Sequence, residues 1–433
     1  MKKVIAFLLA AAIAVSATAC SGEDKSKGES QGSNGARTQI TFLGTIKDEI
    51  SEDFKKELAA YNASQSKYEI VNIPLDNGMQ KLTTLYAGGN APTLFTAVQE
   101  AATYKNKLYD FSKFPLIKQA RAGTTDLMTT EDGKIYGLPV CEEAFGILYN
   151  KNILDKAVGG TFDPSTINTQ DKLKELLEKI AATGVDPTRV SGVDWSLGSH
   201  MTNLMFAPRS PSIKTNLQFL SDLKASKANL VNDKLYNGWL DTLDLLLQYN
   251  TSKKSPLGAT YDDDTLAFAQ GKNALWFQGD WAMPTLNQDN MSGEVGIMPY
   301  PISNNPSDYG NSQISVGPSQ FFCLDISQST KEQQEGALDF LNWFFTSKTG
   351  QDYYVNKYGF LSPYKDLTAA PDDYLSKAIS KYMDEEKTLN WMNLYYPGDG
   401  VSSLGAIMQK YVSGTANREA LAKDIQNYWA SKQ

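Results

Sequence analysis

An alternation of strand and helix patterns near the start of the chain constrains its fold more than any other feature. Residues 39–45, 68–75 and 93–98 are short runs typical of β-strands. The segments between them, 48–64 and 80–87, place their apolar residues on one helical face. This β-α-β-α-β order predicts an α/β lobe with a largely parallel sheet.

The chain is longer than a single hydrophobic core usually supports. It has 433 residues, whereas single cores stop growing at about 250–300 residues, so we expect two lobes. Further helices are predicted at 171–183, 239–249, 331–345 and 418–429. The acidic run around Asp264 lacks the alternating spacing and the glycine of a calcium loop, so we predict that Asp264 caps a helix instead.

The N terminus has the form of a bacterial secretion signal. Lys2 and Lys3 precede an apolar run over residues 4–15, and small residues then lead to Cys20. The run is too short to cross a bilayer, which takes about 20 apolar residues. The arrangement resembles a lipobox, which predicts a signal peptide over residues 1–19 and a lipid on the sulfur of Cys20. An ordinary cleaved signal with an incidental cysteine is the alternative.

The segment after Cys20 is predicted to be a disordered tether. Residues 21–37 contain no large apolar side chain, so they cannot bury enough surface to offset their ordering entropy. Residues 20–37 would therefore hold a folded body close to the outer face of the bacterial cell membrane.

Charge and residue content exclude several classes of function. The formal net charge is −8 and there is no basic cluster beyond the signal, which disfavours nucleic-acid binding. The single histidine, His200, rules out a zinc site with two histidines on one helix. We expect neither a metal nor a cofactor. Cys141 and Cys323 can form a disulfide outside the cytoplasm or remain two buried thiols, and the sequence leaves both options open.

Several segments taken together resemble one protein family. The chain is similar to the extracellular solute-binding proteins of family 1, relatives of maltodextrin-binding protein that serve ABC sugar importers. The segments that carry the resemblance are GGNAPTLFTAVQE at 88–100, DGKIYGLPV at 132–140, GILYNKNIL at 146–154, FAQGKNALWFQGDWAMP at 268–284, VGIMPYP at 295–301 and ALDFLNWFFTS at 337–347.

The resemblance implies an α/β clamp of the type II periplasmic-binding-protein kind, with a hinge and a ligand cleft between two lobes. Lobe 1 would hold residues 38–143 and 320–365, and lobe 2 would hold residues 144–319 and 366–433. The implied role is that of a monomeric substrate-binding lipoprotein, without catalysis. It would capture a carbohydrate, expected to be an oligosaccharide, and deliver it to the permease subunits of an ABC importer.

Aromatic side chains in turns are the first candidates for contacts with such a ligand, because their flat faces pack against the C–H faces of a sugar ring. The resemblance assigns this role to Trp281 in the Gly-Asp-Trp turn. Trp391 and Tyr396 in a Pro/Gly-broken segment are candidates of the same kind, and Trp195 and His200 are weaker ones. For all of them the alternative is a packed or structural position.

Carboxylates and amides that accept from sugar hydroxyls are the second group of candidates, since a hydrogen bond to a charged group contributes about 1.5–3 kcal/mol. By the resemblance, Glu143 aligns with a family carboxylate, with Glu142 as the rival if the register shifts by one. A salt bridge is the other interpretation of Glu143, and a helix cap that of Asp280. The predicted group is Gln99, Glu100, Glu143, Asp280 and Asp399.

Three rival functions remain open. The same fold can carry a non-sugar solute such as a polyamine, a peptide or a phosphate ester. A secreted glycoside hydrolase would use Glu100 and Glu143 as a pair of carboxyls about 5–5.5 Å apart, although no hydrolase motif accompanies them. A purely structural surface lipoprotein is the third.

Overall fold

The computed structural model of the chain describes residues 37–432 apart from 48–49, 76–78 and 368–369. The predicted signal peptide, the predicted lipidation at Cys20 and all of the tether before residue 37 lie outside the described residues. Of the helices that are described, none is both long enough and apolar enough to cross a membrane.

Nine strands form one sheet in the described part of the chain. The strand order is β2-β1-β3-β8-β4-β6-β5, with β7 also paired to β4 and β9 to β8. Their bounds are β1 Thr38–Leu43, β2 Tyr68–Ile73, β3 Leu94–Ala97, β4 Leu138–Asn150, β5 Asp186–Arg189, β6 Asn273–Gly279, β7 Val295–Met298, β8 Ile314–Leu324 and β9 Thr388–Leu389.

The strand directions make this a mixed sheet. Strand β1 pairs in parallel with β2 and β3, as the β-α-β-α-β pattern predicts. Strand β8, however, runs antiparallel to β3 and β4, and β4 runs antiparallel to β6 and β7. The parallel pairing predicted for the first three strands is therefore confirmed, and β5–β6 and β8–β9 are parallel as well. The long central strands are antiparallel, because a strand from much later in the chain is inserted between β3 and β4.

The helices pack on this sheet, and most predicted ones are present with ends shifted by a few residues. Their bounds are α1 Ser51–Ser64, α2 Met79–Ala87, α3 Ala101–Tyr104, α4 Lys151–Val158, α5 Gln170–Ala182, α6 Thr202–Phe206, α7 Ile213–Lys224, α8 Lys234–Gln248, α9 Tyr261–Ala269, α10 Met283–Gln288, α11 Lys331–Thr346, α12 Lys348–Asp352, α13 Tyr374–Asp384, α14 Gly400–Val412 and α15 Arg418–Ala430.

Helix α5 shows how local sequence determines these elements. The Thr169 side chain accepts a hydrogen bond from the N–H of Lys172 at 3.2 Å, which caps the helix. Its apolar residues recur at helical spacing, so one face is buried while the charged residues stay in water. The buried face consists of Leu173, Leu176, Leu177 and Ile180.

Helix α9 begins one turn earlier than predicted. Its cap is Thr260, whose hydroxyl accepts from the N–H of Asp263 at 3.2 Å, while the Asp263 carboxylate accepts from the N–H of Thr260 at 2.9 Å. The predicted cap at Asp264 is wrong. Asp264 is buried, where it forms an ion pair with Arg189 and accepts from the Ser191 hydroxyl. A buried carboxylate needs such partners to offset its lost hydration.

Two large hydrophobic cores lie along the long strands β4 and β8. The N-terminal core contains the start of β4 and the end of β8, with members that include Phe42, Phe54, Phe322, Phe340 and Phe344. The C-terminal core contains the end of β4, with members that include Phe145, Leu177, Trp239, Leu404 and Trp429. A third, smaller cluster includes Ala144, Trp276 and Ile379. The lobe boundaries assigned above fall between the two large cores and stay a prediction.

The two cysteines are separate buried thiols. Cys141 lies on β4 and is fully buried, with its Sγ 3.1 Å from the Ser319 hydroxyl. Cys323 lies on β8, also fully buried, opposite Phe95 of β3. Both thiols are free, so they do not form the disulfide that the sequence left open.

Candidate functional site

Five rings from four segments of the chain meet beside β4 and form what we term the aromatic cluster: Phe145, Trp195, His200, Trp281 and Trp391. The centroid of the His200 ring lies 4.7 Å from that of Phe145 and 4.6 Å from that of Trp281. The Trp391 ring lies 5.4 Å from Phe145, and the Trp195 ring lies 5.6 Å from His200. Four of these residues are sequence candidates, and the structure brings them together.

Two glycines hold the tryptophan rings against the sheet. Gly279 at the end of β6 pairs with Phe145, and a Cβ there would overlap the Trp281 ring. Gly317 in β8 lies under Trp391, whose Cγ would be 2.5 Å from an added Cβ. Contacts between carbon atoms are optimal at about 3.5–4.0 Å. Glycine is therefore required at both positions for the rings to lie where they do.

The indole N–H groups of Trp281 and Trp391 are buried, and neither has a hydrogen-bond partner among the described residues. Buried donors are nearly always paired, and leaving one unpaired costs about 1–3 kcal/mol. Both N–H groups therefore lack a partner in this structure, and a movement of the surrounding groups is needed before either can donate to a bound molecule.

A polar group lies next to the aromatic cluster. Lys47, in the loop after β1, forms an ion pair with Glu143 of β4, and the side chains are only 17% and 13% exposed. Asp280 accepts a hydrogen bond from the N–H of Ala144 at 3.2 Å. Burial raises the pKa of Asp280 to about 7, against the opposing effect of the Lys47 charge. The Asp280 carboxyl is therefore easier to protonate than an exposed aspartate.

The His200 ring is neutral at physiological pH, because burial lowers its pKa to about 3. A neutral imidazole has one donor and one acceptor nitrogen. It therefore combines a flat face between Phe145 and Trp281 with both kinds of hydrogen-bonding group.

Gln99 and Glu100 lie at the edge of this region. Both side chains are exposed in the turn after β3, and the Glu100 carboxylate accepts from the N–H of Val98 at 3.2 Å. Val98 itself packs against the C-terminal core. The turn therefore reaches the C-terminal core, but the structure gives these two polar side chains no contact with the aromatic cluster.

Tyr396 and Asp399 have other partners. Tyr396 is 5% exposed within the C-terminal core, and its hydroxyl lies 3.1 Å from that of Thr202. Asp399 accepts from Lys432 at 2.6 Å and from the Tyr428 hydroxyl at 3.1 Å. These contacts assign Tyr396 to packing and Asp399 to the joining of α14 and α15, so neither lies in the aromatic cluster.

Trp391 also lines a cavity of about 710 Å³. Residues 121–127 form one wall, and residues 383–395 form another. The remaining lining residues are Glu142, Tyr309, Lys365, residues 211–213 and the β8 segment 316–318. Its charged lining residues are Arg121, Asp126, Glu142, Lys365, Asp384 and Glu386.

Three residues of this region are not among the residues predicted from the sequence. Lys47 and Gly317 carry no motif, and Phe145 lies just before the segment GILYNKNIL that carries the resemblance. The alternation along β4 was a usable signal for Phe145, since it lies two residues after Glu143 and thus on the same face. Glu142, named only as a rival to Glu143, lines the cavity.

The comparisons with known proteins agree with this architecture. A family described as bacterial extracellular solute-binding protein matches residues 56–383. The multiple sugar-binding protein of Streptococcus mutans is 29% identical over 223 residues, or 51% of this chain and 50% of that protein. The melibiose/raffinose/stachyose-binding protein MelE of Bacillus subtilis is 22% identical over 280 residues, 63% of each chain. The alignments thus span half to under two thirds of these relatives.

Solved structures match over more of the chain. The apo form of RafE from Streptococcus pneumoniae has a TM-score of 0.75 at 19% identity, covering 92% of this chain and 98% of RafE. RafE in complex with raffinose has a TM-score of 0.71 at 20% identity, covering 91% and 99%. The chain therefore has the mixed α/β fold of these binding proteins, with the curled sheet of a two-lobe clamp.

Proposed function

The chain belongs to the bacterial extracellular solute-binding protein family, and from this premise we propose that it is the substrate-binding subunit of an ABC importer for an oligosaccharide. The observation that carries the proposal is the aromatic cluster, bordered by the carboxyl groups of Glu143 and Asp280. Membership in this family implies that the chain acts outside the cytoplasm.

The cluster offers the contacts that a sugar requires. The C–H face of a pyranose ring can pack against Trp281 or Trp391, and the unpaired indole N–H groups can donate to its oxygens. Glu143 and Asp280 can accept from its hydroxyls. Lys47 at present neutralises Glu143, so a bound sugar would share or replace that ion pair.

The relatives support an oligosaccharide as the ligand. One relative is named as a multiple sugar-binding protein and another as a melibiose/raffinose/stachyose-binding protein, and RafE is seen with raffinose. We therefore propose a ligand of two or more sugar rings. The alternative is a non-sugar solute bound by the same fold.

The proposed lobes would close about β4 and β8. The pairing of these strands changes register between Pro139 and Glu142, an irregularity of the kind that bends a sheet. A third segment passes nearby, where the N–H of Glu142 donates to the carbonyl of Leu361 at 2.9 Å. A ligand that contacts both lobes would favour the closed state by its higher affinity for that state.

The proposed role is binding without chemistry. Glu143 is paired with Lys47, and the Glu100 carboxylate accepts from the backbone N–H of Val98, so neither is arranged as an acid or a base for glycoside hydrolysis. We further propose that the mature chain is a monomer held to the membrane by a lipid on Cys20, and that its closed form docks on the permease subunits.

A titration calorimetry experiment tests the proposal. The protein from Thr38 onward is titrated with melibiose, raffinose, stachyose, a polyamine and a peptide. We expect one or more saccharides to bind, and we expect Trp281→Ala to abolish that binding. Trp343→Ala is the matched control, because Trp343 is another half-buried tryptophan that packs on the N-terminal core, 5.4 Å from Tyr61. Binding of a non-sugar alone would overturn the proposed ligand.

A further inference from the structure

We propose that the cavity beside Trp391 is a second subsite of the same ligand site, where Glu142 binds the hydroxyls of an additional sugar ring. This inference rests on the proposed function and deepens it, because it makes the protein selective for longer saccharides. Trp391 connects the two regions, since it belongs to the aromatic cluster and also lines the cavity.

The cavity has the size and position of a binding site. Its volume of about 710 Å³ lies within the range of about 300–1,000 Å³ that is typical of small-molecule pockets. One of its lining residues, Leu127, packs against both large cores. A molecule in this cavity would therefore contact both halves of the fold.

Glu142 is the strongest indication that the cavity receives a polar ligand. Its side chain is 5% exposed, lines the cavity, and makes neither an ion pair nor a side-chain hydrogen bond with any described residue. Its backbone N–H is already used by the carbonyl of Leu361. A buried carboxyl group without donors is costly. A bound hydroxyl group would supply the missing donor.

Arg121 provides hydrogen-bond donors that complement the Glu142 carboxyl group. Its two terminal nitrogens donate to Asp384 at 3.2 Å, but its Nε is buried and has no partner among the described residues. Arg121 and Glu142 both line the cavity, so its wall contains a donor as well as an acceptor, and the unpaired Nε is reached once the Arg121 side chain turns. A sugar hydroxyl group can satisfy both, because it donates one hydrogen bond and accepts others.

The protonation of the carboxyl groups in the cavity is consistent with a neutral ligand. Burial raises the pKa of Glu142 to about 8, which the charge of Arg121 only partly opposes. Burial likewise raises the pKa of Asp126. Near pH 7 the Glu142 carboxyl is therefore largely protonated, so the cavity is less acidic than its residue types indicate. A neutral polyhydroxylated molecule fits this state better than a cation does.

The test measures how affinity depends on chain length. Calorimetric titration of the protein with melibiose, raffinose and stachyose gives the ratio of stachyose to melibiose affinity. We expect this ratio to be about ten or more in the unmodified protein, and to fall towards one in Glu142→Met, which keeps the side-chain length but removes both oxygens. Melting temperatures establish that each variant is folded.

Glu57→Met is the matched control. Glu57 is also a buried glutamate whose pKa burial raises to about 8, but it lies on α1 and contacts Tyr358. Its replacement should leave the affinity ratio unchanged. A ratio near one in the unmodified protein, or an unchanged ratio in Glu142→Met, would overturn the subsite while the proposed function stands. Binding of spermidine but of no saccharide would overturn both.

Discussion

Replacing Gly317 by alanine should displace the Trp391 ring without removing it. The added Cβ would lie 2.5 Å from Cγ, 2.8 Å from Cδ2 and 2.9 Å from Cβ of Trp391. Since carbon contacts are optimal at about 3.5–4.0 Å, the ring has to move by about 1 Å. Trp391 is 7% exposed and its ring lies 5.4 Å from Phe145, so little free space is available for that movement.

Two consequences have magnitudes that can be measured. Overpacking of this kind typically costs about 1–3 kcal/mol, which we expect as a loss in the free energy of unfolding. An aromatic stacking contact contributes about 0.5–1.5 kcal/mol, so a displaced Trp391 should raise the Kd for the saccharide roughly 2- to 12-fold.

The assays are urea unfolding followed by circular dichroism and calorimetric titration with the saccharide. Gly160→Ala is the control, because no atom lies within 4 Å of a Cβ added at Gly160 and its backbone is not in the left-handed region. That variant should bind and unfold like the unmodified protein. If Gly317→Ala were as stable as the unmodified protein and bound the saccharide as tightly, the packing of the Trp391 ring against Gly317 of β8 would be refuted.

Other parts of the structure give further predictions. Burial raises the pKa of Glu57 from 4.5 to about 8. Between these two pH values the folded state binds more protons than the unfolded state, so the free energy of unfolding should fall as the pH rises from 4.5 to about 8. Glu57→Gln should remove this dependence, as measured by urea unfolding at pH 5 and pH 8.5; an equally steep loss in the variant would contradict the assignment. Asp264→Ala should lower the free energy of unfolding by about 3–5 kcal/mol, because it leaves the charge of Arg189 largely buried without its partner. A loss below about 1 kcal/mol would show that the ion pair is not buried in solution. Cys141 and Cys323, both fully buried and unpaired, should resist a thiol reagent in the native protein and both react after unfolding without reductant; failure to react would indicate a disulfide.

Local periodicity explains how much of the fold the sequence could predict. The buried faces of α1 and α5 follow directly from apolar spacing, and so do the first three strands. The direction of the sheet beyond β3 could not be predicted, because it depends on β8, a strand that follows more than two hundred residues later in the chain. Asp264 was misassigned for a related reason, since its partner Arg189 is 75 residues away.

The residues of the candidate site likewise differ in whether the sequence near them identifies them or their role depends on a distant partner. Trp281 was predicted because the family resemblance assigns a ligand contact to the tryptophan of its Gly-Asp-Trp turn. Lys47 was missed because its role depends on Glu143, 96 residues away. Gly317 was missed because a glycine in a strand shows its purpose only when the ring above it is known. Tyr396 was expected in a loop facing ligand, but a single 3₁₀ turn directs it into the C-terminal core.

The central claim is that the aromatic cluster is the surface that binds a sugar. A crystal structure of the protein with raffinose tests it most directly. We predict a sugar ring in van der Waals contact with the face of Trp281 or Trp391, with hydroxyls hydrogen-bonded to Glu143 or Asp280. A saccharide bound elsewhere, with the five rings packed as they are without it, would contradict the account.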